Sequence, residues 1–245
     1  MRAILVRVGI DHSYGGGNAP IDPKSRRFLY VPIPENASAF QPGCERRYAE
    51  LIDPLAQFID SCGVADAALQ SRIHELRDTP MHLDPDFEHL TYGDNGNRRG
   101  SKIRALNSGD LVVFYAGLQP MRPYDHKLIY AIIGLFAVDK VVAVQEVEQA
   151  NWHKNAHTRK RKWGPHDIVV QAKHGSSGRC VHCIPIGEFR DRAYRVRNNL
   201  LKEWGGLSVN DGYIQRSATP PEFTDANQFY RWWLHQDVEL VQNNF

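Results

Sequence analysis

The chain has 245 residues, of which 42% are hydrophobic and 24% are charged, and its formal net charge is +2. This composition argues against a disordered chain, and no run approaches the eighteen apolar residues of a membrane span. Four cysteines are too few for a disulfide framework, which favours a reducing compartment and therefore predicts a cytoplasmic protein.

The small net charge conceals an uneven distribution. Residues 151–205 carry twelve Lys and Arg against four Asp and Glu, so the rest of the chain is acidic overall. Segregation of this kind raises the local positive field and attracts polyanions such as nucleic acid. A solvated basic surface that binds no partner would have the same residue composition.

Two strands, one helix and one loop are predicted in the first hundred residues. Residues 3–10 form a short Val/Ile-rich run, and residues 28–33 form a second β-type run. Apolar residues recur with helical spacing over 45–62, where Pro54 would kink or begin the helix. Residues 81–97 are polar, aromatic and rich in Pro and Gly, which predicts an ordered loop.

The remaining elements are mostly strands, and they rarely alternate with helices. This order predicts an α+β fold, with one domain over 1–245 and a mixed, mostly antiparallel, curved sheet flanked by helices. The predicted strands are residues 111–116, 129–138, 141–147, 168–172 and 180–186, and the predicted helices are residues 189–204 and 227–234.

The segment from His82 to Asp94 is the richest in chemically active side chains. His82, Asp84 and Asp94 are of the types that shuttle protons or ligate a divalent metal near neutral pH. Tyr92 could stack on a base or donate a hydrogen bond. The alternative is a loop in which these side chains only cap turns.

A second candidate follows the first predicted strand, where the sequence runs from Asp11 to Gly17 through Tyr14, Gly15 and Gly16. Glycines after a strand let backbone N–H groups approach an anion closely. The spacing fits neither the P-loop nor the dinucleotide-binding fingerprint. Asp11 is either catalytic or the cap of the following turn.

The third candidate is a run of four cations, Arg159, Lys160, Arg161 and Lys162, next to Trp163. Cations beside an aromatic ring suit phosphate contact combined with base stacking. An exposed loop explains the same residues.

A zinc site would need His153 and His157 together with Cys180 and Cys183. Residues three apart on a strand point to opposite faces, so the two cysteines should not converge. Buried thiols are the better prediction, and no metal ligand is assigned.

The order of the motifs GIDxxYGG, YVPIPE, DPDFExxTYGD, GDLVVFYAGL, IIGLF and NAH resembles nucleotide-modification-associated domain 3 proteins. The resemblance spans about residues 5–189 and implies a role in DNA base hypermodification. The matching positions are Asp11, Tyr14, Gly15, Gly16, Asp84, Phe87, Tyr92, Gly93, Asp94, Asp110, Tyr115 and His157.

Residues 109–115 and 130–138 also look like the central strands of PUA-like modules, including EVE and ASCH domains, which bind RNA or modified bases. This weaker likeness would place a PUA-like barrel core within residues 80–190. Fold likeness alone does not decide a function.

The leading hypothesis is a protein that modifies a base in DNA or a nucleotide. A reader of modified bases without chemistry of its own and a metal-dependent nuclease are the alternatives; a divalent metal is compatible with the residues, whereas zinc is not expected. The assigned roles are catalysis for Asp11, His82, Asp84 and Asp94, substrate binding for Tyr14, Gly15, Gly16, Phe87, Tyr92, Tyr115 and His157, and phosphate binding for Arg159, Lys160, Arg161 and Lys162.

Overall fold

The computed structural model describes residues 1–14, 17–63, 67–97, 100–216 and 219–245. The strands are β1 (Ala3–Arg7), β2 (Pro20–Ile21), β3 (Ile33–Pro34), β4 (Met81–His82), β5 (Thr91–Asp94), β6 (Leu111–Pro120), β7 (Ile129–Ala143), β8 (Ile168–Ala172), β9 (Gly178–Pro185), β10 (Gly187–Arg190), β11 (Ala193–Val196) and β12 (Leu240–Val241). The helices are α1 (Ile52–Cys62), α2 (Ala67–Glu75), α3 (Ser101–Arg104), α4 (Asn198–Glu203) and α5 (Ala226–Leu234).

Two long antiparallel strands, β6 and β7, form the centre of the sheet. Their register runs from Leu111 opposite Ala137 to Leu118 opposite Ile129. Residues 111–118 of β6 are all buried, because the strand is covered on both faces, and this explains its unbroken apolar sequence. Both strands were predicted, and both extend beyond their predicted ends.

The sheet path runs β1-β6-β7-β8-β5, with β9 paired to β7 and β12 paired to β9. β1 is parallel to β6, whereas β7, β8, β9 and β5 pair antiparallel. The strand predicted at 141–147 is not a separate strand, because its first residues continue β7. These residues pair with β8, which is the partner predicted for that strand. The predicted α+β class with a mostly antiparallel sheet is therefore confirmed.

Over the described residues this strand path does not return to its first strand, so the sheet is open. A PUA-like barrel core within 80–190 would need a closed path. The likeness to PUA-like modules rests on the β6–β7 pair alone. An antiparallel pair with a glycine, here Gly134, is compatible with many folds.

The helix predicted over 45–62 starts later than expected. A 3-10 turn at Tyr48–Leu51 precedes α1, and Pro54 lies in the first turn of α1, where its missing N–H breaks no helical hydrogen bond. Gly63 ends the helix in the left-handed region, with φ of 62°. The predicted C-terminal helix at 227–234 is confirmed as α5.

Two further predicted elements differ from the structure. Only Ile33 of the run 28–33 belongs to a strand, because Phe28 to Val31 are buried without joining the sheet as a strand. The predicted helix at 189–204 is instead the β10–β11 hairpin followed by α4. Asp191 and Arg192 both have positive φ, which is the geometry of a tight hairpin turn, and the alternation of Arg with apolar residues had period two.

None of the helices in the described part of the chain is long and apolar enough to cross a lipid bilayer.

An aromatic cluster fills the core beneath the central strands. Phe87 contacts Phe114 and Phe136 edge to face, with ring centroids 5.7 and 5.6 Å away. A Cβ at Gly134 would lie 2.5 Å from the Phe87 ring, so only glycine leaves room for it. Phe87 is 0% exposed, so its ring packs in the core rather than against a ligand from solvent.

Replacing Phe87 by Ala should lower the free energy of unfolding by about 3–5 kcal/mol, because a fully buried ring leaves a cavity. Phe189→Ala is the control, since Phe189 is exposed and should cost about 0.5 kcal/mol. Urea denaturation followed by circular dichroism measures both. Equal stability of the Phe87 variant and the wild type would contradict the core assignment.

Candidate active site

A cavity of about 360 Å³ lies where three distant segments of the chain meet. This volume falls in the range of about 300–1,000 Å³ that small-molecule sites occupy. The described residues that line it are Arg7, Val8, Gly9, Asp11, Ile33, His82, Asp84, Tyr92, Gly93, Asp94, Asn95 and His157. All four residues assigned to catalysis from the sequence are in this set.

Strand pairing brings the His82–Asp94 segment to the cavity. β4 pairs with β3, so that His82 lies opposite Ile33, and β5 pairs with β8. Between them, Asp86 and Thr91 exchange two backbone hydrogen bonds of 2.8 and 3.0 Å and close a tight loop. The segment predicted as an ordered loop is therefore a loop between two short strands, and both of its ends face the cavity.

Asp84 lies between two histidines. Its Oδ1 accepts hydrogen bonds from the backbone N–H of Gly93 at 2.7 Å and from Asn155 Nδ2 at 3.0 Å. Its Oδ2 lies 3.9 Å from Nε2 of both His82 and His157. One carboxylate oxygen is thus held by the protein, and the other faces two imidazoles.

Burial determines how these groups are charged. Burial raises the pKa of the Asp84 carboxyl well above its usual range, against the opposing hydrogen bonds from Gly93 and Asn155. Burial also lowers the pKa of His82, and it lowers the pKa of His157 well below its usual value. The imidazole of His157 is therefore neutral at physiological pH.

A glycine allows His157 to approach β5. A Cβ at Gly93 would lie 2.3 Å from His157 Cδ2 and 2.7 Å from Asn155 Oδ1. Any larger residue at this position would displace the imidazole or the amide. The glycine in the TYGD motif is therefore required by the geometry of the cavity.

Asp11 both lines the cavity and caps a turn. Its Oδ2 lies 2.9 Å from Nη2 of Arg7, and its Oδ1 accepts a hydrogen bond from the N–H of Ser13 at 2.8 Å. Arg7 also donates to the Gln215 carbonyl at 2.5 Å. The capping role expected as an alternative is thus present, and an arginine that was not predicted forms part of the cavity wall.

Asp94 and Tyr92 complete the wall on β5. Asp94 is half-buried, and its Oδ1 accepts a hydrogen bond from the N–H of Gly96 at 2.8 Å. Burial raises the pKa of Asp94, although that hydrogen bond opposes the change. Tyr92 is 8% exposed and packs on Phe114, so only part of its ring is available to a ligand.

Some predicted binding residues lie elsewhere. Tyr115 is fully buried, and its hydroxyl donates to the Ile214 carbonyl at 2.8 Å, so, like Phe87, it belongs to the core. A ligand that enters from solvent cannot contact either ring. Tyr14 ends the 3-10 turn His12–Tyr14, and Gly15 and Gly16 lie outside the described residues.

The predicted phosphate-binding run is divided by the fold. Arg159 is 1% exposed; its Nη2 donates to Asp86 Oδ2 at 2.8 Å and its Nε donates to the His153 carbonyl at 2.8 Å. A guanidinium held inside the protein by a buried carboxylate cannot meet a phosphate on the surface. Arg161 and Lys162 are exposed.

Two further residues support the site from outside the predicted set. Glu35 Oε2 lies 3.4 Å from Nδ1 of His82 and 3.4 Å from Lys160 Nζ. Asn155 donates a hydrogen bond to Asp84 and accepts one from the backbone N–H of His157 at 2.8 Å. Glu35 lies in the YVPIPE motif and Asn155 lies in the NAH motif. The presence of these motifs in the sequence was the signal that could have identified the two residues.

The histidines and cysteines considered for a zinc site do not come together in the described part of the chain. Cys180 and Cys183 are buried on β9, and no cluster of potential metal ligands in the described residues includes either thiol. Burial raises the pKa of the Cys183 thiol to about 12, as for an inert structural thiol.

The model of the nucleotide modification associated domain 3 family matches residues 2–235, nearly the whole chain. This protein belongs to that family, and it is therefore a protein associated with nucleotide modification. Comparison with curated proteins and with solved structures gave no match.

Replacing Arg159 by Met should destabilise the protein by about 3–5 kcal/mol, because it leaves the Asp86 carboxylate buried without its partner. Lys162→Met is the control and should change the free energy of unfolding by about 0.5 kcal/mol or less, because Lys162 is exposed. Thermal and urea unfolding measure both. An Arg159 variant as stable as the control would show that the buried pair is not structural.

Proposed function

We propose that this protein modifies a base in nucleic acid or in a nucleotide, and that the cavity around Asp84 is its active site. The observation that carries the proposal is the convergence of Asp11, the His82–Asp94 segment and His157 on one cavity, although they are far apart in the chain. Membership of a family associated with nucleotide modification supports a nucleotide as the substrate class.

Asp94 is the proposed acid–base group. It lines the cavity and is half-buried, and a carboxyl in such a position can hold a proton nearer to neutral pH than an exposed one. Arg7 also lines the cavity and is held there by its ion pair with Asp11, so this pair gives the wall polar groups that can orient a substrate. The cavity thus combines proton transfer with substrate orientation.

A base inside a duplex would have to leave the stack before it could enter this cavity. Tyr92 supplies the ring against which part of an extruded base would pack. The volume of about 360 Å³ is compatible with a single nucleotide.

The cavity favours an enzyme over a reader of modified bases. A reader typically surrounds its ligand with exposed aromatic rings and a few hydrogen bonds. Here Tyr92 is the one phenol or phenyl ring among the described lining residues, and it is 8% exposed. Carboxylates and imidazoles dominate the wall instead.

Neighbouring depressions suit a polymeric substrate. A second cavity shares Arg7 and Asp11 with the first, and a third shares His12 and Leu128 with the second. The third has a volume of about 680 Å³. Residues of these two outer cavities that could stack on bases or contact phosphates are Phe189, Tyr194, Lys127 and Arg216.

The Asp94→Asn variant tests the proposed chemistry. Loss of an acid–base group should slow the reaction by about 10²–10⁴-fold, so cells that express this variant should lose the modified nucleoside formed by the wild type. Mass spectrometry of nucleosides from digested nucleic acid measures this. Asp60→Asn, an exposed change on α1, is the control and should leave the product unchanged.

If wild-type cells contain no new nucleoside while the purified protein binds nucleic acid, the reader alternative replaces the enzyme. Cleavage of plasmid DNA in the presence of Mg²⁺ or Mn²⁺ would point to the nuclease instead.

Charge reversal at Arg161 and Lys162 tests the remaining phosphate contacts. The double variant Arg161→Glu/Lys162→Glu should bind DNA more weakly, and its slope of log K against log salt should fall by about 2. Fluorescence anisotropy across a salt series measures the slope. Lys127→Glu/Arg216→Glu is the comparison; a smaller slope in that pair alone would place the phosphates along the neighbouring cavities.

A further inference from the structure

We propose that His82, Asp84 and His157 form a binding site for a divalent first-row transition-metal ion. The ligand atoms would be Nε2 of each histidine and Oδ2 of Asp84. The site lies on the wall of the cavity described above.

The distances suit an ion with small adjustments of the side chains. Both Nε2 atoms lie 3.9 Å from Asp84 Oδ2, and the ligand atoms of the three groups lie within 4.8 Å of one another. Tetrahedral coordination with bonds of about 2.0–2.1 Å separates ligand atoms by roughly 3.4 Å. The two 3.9 Å separations exceed this value by about 0.5 Å and the third by up to about 1.4 Å, so χ rotations of the two imidazoles complete the site.

The imidazole of His157 lacks the partners that a structural histidine would have. Its Nδ1 is buried and has no hydrogen-bond partner among the described residues. Its Nε2 is too far from Asp84 Oδ2, at 3.9 Å, for a hydrogen bond. Nε2 therefore makes no hydrogen bond with the described residues and is free to bind an ion beside Asp84 Oδ2, on the wall of the cavity.

Residues behind His82 and Asp84, two of the three ligands, hold them in place, as is usual around a metal ion. Glu35 Oε2 lies 3.4 Å from Nδ1 of His82, on the side of the ring away from Asp84. Gly93 and Asn155 hold Asp84 Oδ1, which leaves Oδ2 for the ion. A carboxylate behind a histidine fixes the ring and increases its basicity as a ligand.

The ligand set selects the class of ion. Two imidazoles and one carboxylate suit Fe²⁺, Zn²⁺ and related ions, whereas Mg²⁺ and Ca²⁺ prefer oxygen ligands. Three protein ligands on the wall of an open cavity leave positions for water or substrate. This set differs from the Cys/His arrangement considered from the sequence, since no thiol takes part.

A second cluster of potential ligands, Asp86, Glu88 and His89, is the natural comparison. Its Asp86 Oδ2 already accepts a hydrogen bond from Arg159 at 2.8 Å, so that carboxylate is neutralised inside the protein. We therefore assign the ion to the first cluster.

The catalytic use of this ion rests on the proposed function, whereas its binding depends only on the three side chains. The two can fail separately. Metal binding without any modified nucleoside would leave the site and remove the function, whereas an Asp94-dependent nucleoside formed by a metal-free protein would leave the function and remove the catalytic use of the ion.

The test uses the purified full chain, stripped with EDTA and titrated with Zn²⁺, Mn²⁺, Co²⁺ or, without oxygen, Fe²⁺, with Mg²⁺ as the comparison. Calorimetry should show one transition ion per chain and no comparable Mg²⁺ binding. Co²⁺ should give a visible absorption band, and the bound ion should raise the Tm.

Asp84→Asn and His157→Gln should abolish this binding, and Glu35→Gln should weaken it by about 10- to 100-fold. His89→Gln should leave it unchanged, and circular dichroism identifies any variant that fails to fold. No uptake of a transition ion by the wild type overturns the proposal whatever the variants do. Binding lost in His89→Gln but retained in His157→Gln overturns it by moving the ion to the second cluster.

Discussion

The buried carboxylate of Asp86 is the interaction on which the geometry of the site depends. It is 0% exposed and accepts hydrogen bonds from Arg159 at 2.8 Å and from Asn244 at 3.1 Å. Burial alone would raise the pKa of Asp86, but His89 and the charge of Arg159 outweigh it and lower the pKa. A carboxylate buried this deeply is tolerated only when its oxygens accept hydrogen bonds or ion pairs. The contact therefore holds together the segments that contain Asp86, Arg159 and Asn244.

This pair also places the cavity residues. Asp84 lies two positions before Asp86, and His157 lies two positions before Arg159. When Asp86 and Arg159 are joined, Asp84 and His157 are brought face to face, with Oδ2 and Nε2 3.9 Å apart. Asn155 adds a second connection between the two segments through its bond to Asp84. The structural ion pair and the candidate active site are therefore consecutive parts of one contact.

The same contact explains why the four consecutive cations from Arg159 to Lys162 have different surroundings. Arg159 points inward to a carboxylate, Lys160 lies near Glu35 at the edge of the site, and Arg161 donates to the Phe40 carbonyl at 2.6 Å. Within one basic segment beside a cavity, some residues thus mainly stabilise the fold, whereas others mainly contribute positive charge to the local electrostatic field. In this protein the arrangement places the Lys160 ammonium next to Glu35, at the edge of a cavity lined by three aspartates.

The sequence by itself determined the residue types, the local periods and the motif order, and from these the β6–β7 pair, α5, the family and the grouping of Asp11 with His82, Asp84 and Asp94 could be predicted. Tertiary structure alone decided which side chains face the cavity and which face the core, as for Phe87, Tyr115 and Arg159. It also decided the β10–β11 hairpin, where two residues with positive φ reverse a run that could have been helical. The physical reason is that burial and pairing depend on partners far away in the chain, such as Asp86 for Arg159, and local patterns carry no information about those partners.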